Sequence, residues 1–193
     1  HPAVAPVMER AAKIAGCSAM SCILAAKLCN EEPKGTIPHA AILIVGDTVK
    51  LAKLYDAQIP AEEPRIVLVD TFKDEAEETM RVAECLGDKL AGVRLDTPGE
   101  RGGVTPDLVR EIRWRLDIAG YSDVQVIATG GLTPERIKMM NDAGASVYGV
   151  GSYITHGKSR DMTMDLKMID GRPIAKRGRL PGIIDNPRLE RVL

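Results

Sequence analysis

Along most of the chain, short apolar runs alternate with stretches whose apolar positions recur at helical spacing. The clearest runs, each of strand length, are RIVLVDTF (65–72), KLAGVRLDT (89–97), VQVIATGG (124–131) and SVYGVGSYI (146–154). Between them, KDEAEETMRVAECLG is acidic in its first turns and stops at Gly87. TPDLVREIRWRLDIAG opens on Thr105 as N-cap with Pro106 in the first helical position and closes at Gly120. TPERIKMMNDAG repeats that grammar with Thr133, Pro134 and Gly144. All three predict helices. Earlier, VMERAAKIAG and SCILAAKLCNEE predict two helices joined by a short link near Cys17, and KGTIPHAAIL predicts a strand leading into a helix at about Gly46 to Gln58.

Apolar strands alternating with helices form parallel βαβ units, and about six in series predict an incomplete, irregular parallel α/β barrel over residues 1–158. Beyond residue 160 the period changes. MDLKMIDGRPIAKRGR alternates every second residue around Asp170-Gly171, a strong hairpin signal, so residues 159–193 are expected to form the antiparallel β-hairpin and tail of a second, small domain.

Composition narrows the function classes. A chain of 193 residues, 45% hydrophobic and 27% charged, can bury a sizeable core. A net charge of -1 and 3% aromatic residues argue against a nucleic-acid partner, which needs a basic surface and stacking platforms. No apolar run approaches the roughly 20 residues of a membrane-spanning helix, and the start has no basic-then-apolar leader pattern, so a soluble cytoplasmic protein is expected. The four cysteines are spaced too irregularly for a disulfide framework or a metal knuckle, which makes buried reduced thiols the expectation. The chain opens on histidine directly before a helical segment, so further sequence is expected upstream.

The stretch AGVRLDTPGERGG places Arg94 and Asp96 in an otherwise apolar strand. Residues two apart share a strand face, so both charges point into the lumen while Val93 and Leu95 face the helices. They fall at the strand's C-terminal end, where α/β barrels build their active sites. Asp70 and Thr71 take the same place on the preceding strand, Thr129-Gly130-Gly131 on the next, and Gly149 and Gly151 on the last. An Arg94–Asp96 or Arg94–Asp70 ion pair filling the lumen is the structural alternative. The coincidence of all four at one rim points instead to a ligand site. Two glycine turns exposing backbone N–H groups, with a helix N-terminus at Thr133, suit a phosphate. Asp70 and Asp96 suit ribose hydroxyls, a phosphate-bridging Mg²⁺ or a developing positive charge, and Arg94 suits a diphosphate or a carboxylate. GSYITHGKS misses P-loop spacing by one residue, and neither a dinucleotide-binding glycine motif nor a hydrolase serine elbow is present.

In this order, KGTIPHA, VDTF, GVRLDTPGERGG, VIATGGLTPERI and DAGASVYGVGSYI resemble the nicotinate phosphoribosyltransferases, most closely their archaeal and bacterial branch. The resemblance implies the type II phosphoribosyltransferase fold, with a second domain built from both chain ends. It implies transfer of phosphoribosyl from its diphosphate to nicotinate in NAD salvage, with Mg²⁺ accompanying the diphosphate, ATP hydrolysed alongside, and a homo-oligomeric assembly. By position, His39 matches the histidine that ATP phosphorylates. Arg94 and Asp96 match the pair contacting diphosphate and ribose, and Gly130, Gly131, Gly149 and Gly151 match the turns around the 5-phosphate, while Asp70 and Thr129 join the expected site by their places at the strand ends. The implied step is dissociative loss of diphosphate and attack by the pyridine nitrogen on an oxocarbenium-like carbon. GCSAMSC departs from the usual Gly-Thr-Ser-Asn, so Ser18 and Ser21 are substrate contacts only by position, and quinolinate or nicotinamide stays open as the pyridine. The upstream substrate-binding arginine and the tyrosine-bearing N-terminal domain of the family lie outside this sequence, which leaves open a barrel piece that holds phosphate without turnover.

Overall fold

A computed structural model describes residues 2–190, so the first residue of the expected barrel range and the last three of the expected hairpin domain lie outside it. The chain divides into two compact units between His156 and Gly157. The first opens with helices α1 (Ala5–Ile14), α2 (Ile23–Leu28), α3 (His39–Val45) and α4 (Thr48–Gln58). Strand β1 (Arg65–Leu68), helix α5 (Glu75–Leu86), β2 (Leu90–Leu95), α6 (Pro106–Ile118), β3 (Gln125–Ala128), α7 (Pro134–Ala143), β4 (Val147–Tyr148) and the short α8 (Ser152–Thr155) follow.

The four strands form one parallel sheet in the order β1-β2-β3-β4. Chain order equals sheet order, as successive βαβ crossovers of one hand require. The helices start where the sequence places them. Asp74 accepts from the Ala76 and Glu77 amides at the start of α5, and Thr105 and Thr133 cap α6 and α7 just before their prolines. Gly144, at φ +109, ends α7 in the left-handed conformation that a β-carbon disfavours.

The core lies between the helices and one face of the sheet. Val67, Val69, Val93, Leu95, Val126 and Ala128 pack there with Val82, Val109, Ile112, Leu116 and Met140. Each fully buried aliphatic side chain of this kind contributes about 1.5–3 kcal/mol.

Two strand expectations need correction. KGTIPHAAIL forms no strand: Pro38, extended at φ -83 and ψ 153, caps α3, which begins at His39. Proline cannot donate to a ladder, and the apolar residues beyond it follow helical spacing, so Ile42 is buried while Ile44 is exposed. In SVYGVGSYI only Val147–Tyr148 pair as a strand, and the chain passes through Val150 and Gly151 into α8. The described residues thus hold four parallel strands in place of the roughly six anticipated from pattern alone.

The second unit carries a hairpin of β5 (Met168–Ile169) and β6 (Arg172–Pro173), paired antiparallel. Asp170 at φ +46 and Gly171 at φ +75 form its turn, the two positive values that a type I′ hairpin demands. Among the described residues no helix is long and apolar enough to cross a membrane.

Candidate active site

Pairing register sets the rows of side chains on the open face of the sheet. Leu68, Arg94 and Ile127 stand opposite one another across β1, β2 and β3. The ladder continues one step past the strand ends through Val69 N–H to Arg94 O, Thr129 N–H to Leu95 O and Gly149 N–H to Ala128 O. Two residues further along each strand, the same face carries Asp70, Asp96 and Thr129. Arg94 is therefore flanked by Leu68 and Ile127 in one row, and Asp70, Asp96 and Thr129 form the polar row beyond it at the C-terminal ends of the strands, as the alternation in the sequence requires.

Arg94 reaches up from the row below and joins these polar groups. Its Nε donates to Thr129 Oγ1 at 3.1 Å, Nη1 to Thr36 Oγ1 at 2.8 Å and Nη2 to Asp96 Oδ2 at 2.9 Å. Three of its five N–H groups are engaged, which leaves two for a ligand. Thr129 is fixed in turn by donating to Leu95 O at 2.9 Å. The Arg94 and Asp96 side chains are 26% and 25% exposed, so the pair is reachable from solvent while held rigidly.

His39 stands at the first residue of α3, and its Nε2 lies 3.1 Å from Asp70 Oδ2. The Asp70 side chain is 1% exposed and the imidazole 41%. Burial pushes the Asp70 carboxyl above its ordinary range. The hydrogen bond and charge of His39 oppose that shift, and the charge of Asp96 adds to it. The second Asp70 oxygen and the Thr71 hydroxyl are buried without partners.

Of the two ion pairs anticipated for Arg94, the one to Asp96 is present, and Asp70 pairs with His39. Two glycines of the rim are packed tightly. A β-carbon on Gly130 would lie 3.2 Å from Asp96 Oδ1, and one on Gly149 would lie 2.6 Å from the Thr129 methyl. Gly131, at φ +61, and Gly151, ahead of α8, face open space. The structure thus gathers His39, Asp70, Arg94, Asp96, Thr129, Gly130 and Gly149. Ser21 is engaged elsewhere, donating to Glu9 Oε1 at 2.8 Å, and the Ser18 carbonyl accepts from Lys13.

Sequence reasoning missed Thr36, Glu75 and Thr97. Thr36 stands three residues before His39 without a chemical signal of its own. Glu75 is one of three acids in the first turn of α5, and only packing distinguishes it from Glu77.

Asp70 and Asp96 lie on neighbouring strand ends, and the unpaired Asp70 oxygen is of a kind that would suit a divalent cation. Among the described residues no group of three or more acidic, histidine or cysteine side chains forms a cation cage.

Residues 1–165 match the family described as quinolinate phosphoribosyl transferase, C-terminal domain. A nicotinate phosphoribosyltransferase of Mycobacterium tuberculosis is 30% identical over 186 residues, covering 92% of this chain and 40% of that protein. That of Bacillus subtilis is 33% identical over 150 residues, 74% of this chain and 29% of its own length. The solved nicotinate-nucleotide pyrophosphorylase from Pyrococcus furiosus superposes with a TM-score of 0.80 at 46% identity, covering 95% of this chain and 47% of that one. The chain spans less than half the length of each of these relatives. Match and superposition agree with an incomplete α/β barrel, and the chain belongs to the quinolinate phosphoribosyl transferase C-terminal domain family.

Proposed function

We propose that this chain carries the phosphoribosyl diphosphate site of a pyridine phosphoribosyltransferase and that its pyridine is nicotinate. The observation that supports this most is the Arg94 fork. A guanidinium clamped by Asp96, Thr129 and Thr36, with two N–H groups to spare, suits an anion at the mouth of the sheet. Gly130, Gly131, Gly149 and Gly151 would let the 5-phosphate approach backbone N–H groups beside the N-terminus of α7.

Transfer requires the bond from ribose C1 to diphosphate to break, the electron pair leaving with the diphosphate, and the pyridine nitrogen to attack C1. Arg94 would hold the departing diphosphate, and Asp96 would face the positive charge that develops on the ribose. Magnesium bound with the diphosphate would offset its negative charge. His39 supports an additional role for ATP. With Asp70 ionised, Nε2–H donates to it and Nδ1 keeps its lone pair, able to take the γ-phosphoryl group as ADP leaves.

Quinolinate is the second reading, favoured by the description of the matching family. The curated relatives cited above, named for nicotinate, support the first. Mononucleotide formation from phosphoribosyl diphosphate with nicotinate, quinolinate and nicotinamide in turn, using the full-length protein, decides among them. Product from nicotinate that rises with ATP is expected. Product from quinolinate with release of carbon dioxide would establish the second reading, and ligand binding without product would reduce the chain to a phosphate-binding barrel.

A further inference from the structure

Glu75 is buried in a way that its place in α5 does not explain. It is the first residue of that helix, yet Asp74 already caps the free amides and Glu77 supplies an exposed charge for the helix dipole. The Glu75 side chain is nevertheless only 3% exposed. Its Oε1 accepts from Thr97 Oγ1 at 2.7 Å and its Oε2 from Arg101 Nη2 at 3.4 Å. Both partners lie in the loop after β2, and Thr97 directly follows Asp96. That loop is closed on itself, with the Arg101 and Gly103 amides donating to Pro98 O, and Arg136 of α7 holds its far end through Val104 O. Glu75 thereby ties the start of α5, the helix that follows β1, to the loop after β2.

We propose that Glu75, acting through Thr97, is a positioning residue that sets Asp96 and Arg94 for phosphoribosyl transfer; the inference rests on the transferase reading above. A buried carboxylate with two partners from one loop gives that loop a single seat, and Asp96 is held in the orientation its hydrogen bond to Arg94 requires. The side chain touches no substrate itself.

The test uses the full-length protein, with phosphoribosyl diphosphate and whichever pyridine gives product. Thr97→Ser and Glu75→Gln each keep the hydroxyl-to-oxygen bond and are expected to keep kcat within about threefold of wild type. Thr97→Val and Glu75→Ala remove it and are expected to lower kcat at least about tenfold while KM for phosphoribosyl diphosphate moves less than about threefold, because misplacement acts on the transition state more than on ground-state binding. Thermal unfolding is followed for each, and Thr97→Val decides alone where Glu75→Ala does not fold. Wild-type kcat in Thr97→Val, or a loss borne entirely by KM, overturns the proposal. Asp96→Asn serves as the control: full turnover in that variant overturns the transferase site itself, whereas an inactive Asp96→Asn beside an unaffected Thr97→Val removes only the role of Glu75.

Discussion

The methyl group of Thr129 occupies the space where a side chain on Gly149 would have to begin: a β-carbon there would stand 2.6 Å from Cγ2. Thr129 cannot yield freely, because its hydroxyl joins Arg94 to Leu95 O. The relationship explains a glycine whose φ lies outside the left-handed range. Gly149→Ala is expected to destabilise the protein by about 1–3 kcal/mol through overpacking. Thr129→Ser removes the offending methyl and keeps the hydroxyl, so the double variant Gly149→Ala with Thr129→Ser should recover most of that loss. Urea unfolding of the four proteins measures the coupling, and strict additivity would show that the contact does not govern the site.

Arg94 and Asp96 separate stability from activity. Both side chains are partly exposed, so Asp96→Asn is expected to change the unfolding midpoint little. Turnover is expected to fall at least about a hundredfold, the scale of one preorganised electrostatic contact in a transition state. Arg94→Met is expected mainly to weaken binding of phosphoribosyl diphosphate, read by calorimetry. A double variant that is both stable and active would make the pair architecture alone.

His39→Asn tests the proposed ATP dependence. Asparagine retains a donor toward Asp70 and removes the ring nitrogen that would carry a phosphoryl group. The ratio of turnover with ATP to turnover without it should fall to about one. An unchanged ratio would assign ATP to another part of the protein, or to none.

Asp70 gives a pH dependence whose sign follows from its burial. Its carboxyl is raised above 3.8 in the fold, so the native state holds that proton more tightly than the unfolded chain. The associated stability is present below the ordinary carboxylate value and is lost as pH rises through the folded value. Asp70→Asn removes this dependence. The stability of wild type relative to Asp70→Asn should therefore decline from acid pH until Asp70 is ionised in the fold and then level off, as followed by urea midpoints across that range. A difference that grows in favour of wild type would mean that the pairing with His39 outweighs desolvation.

Much of this protein is legible in its local chemistry. Thr105-Pro106 and Thr133-Pro134 start α6 and α7, because a hydroxyl followed by a residue without an N–H satisfies helix amides wherever it occurs. Asp170-Gly171 likewise turns the hairpin through the positive φ values its residues tolerate. Two-residue periodicity alone put Arg94 and Asp96 on the face opposite Val93 and Leu95. The tertiary structure decided what periodicity cannot express. Pro38 and His39 proved to start a helix because a run of apolar residues fits a buried strand or a half-buried helix equally well, and only packing chooses. The partners of the charges were decided there too. Asp70 meets His39 across 31 positions, Arg94 meets Thr36 across 58, and Glu75 meets Thr97 across 22, distances over which a one-dimensional pattern carries no information. Sequence determines which groups can be charged, capped or turned, whereas close packing of the sheet and its helices determines which of them meet.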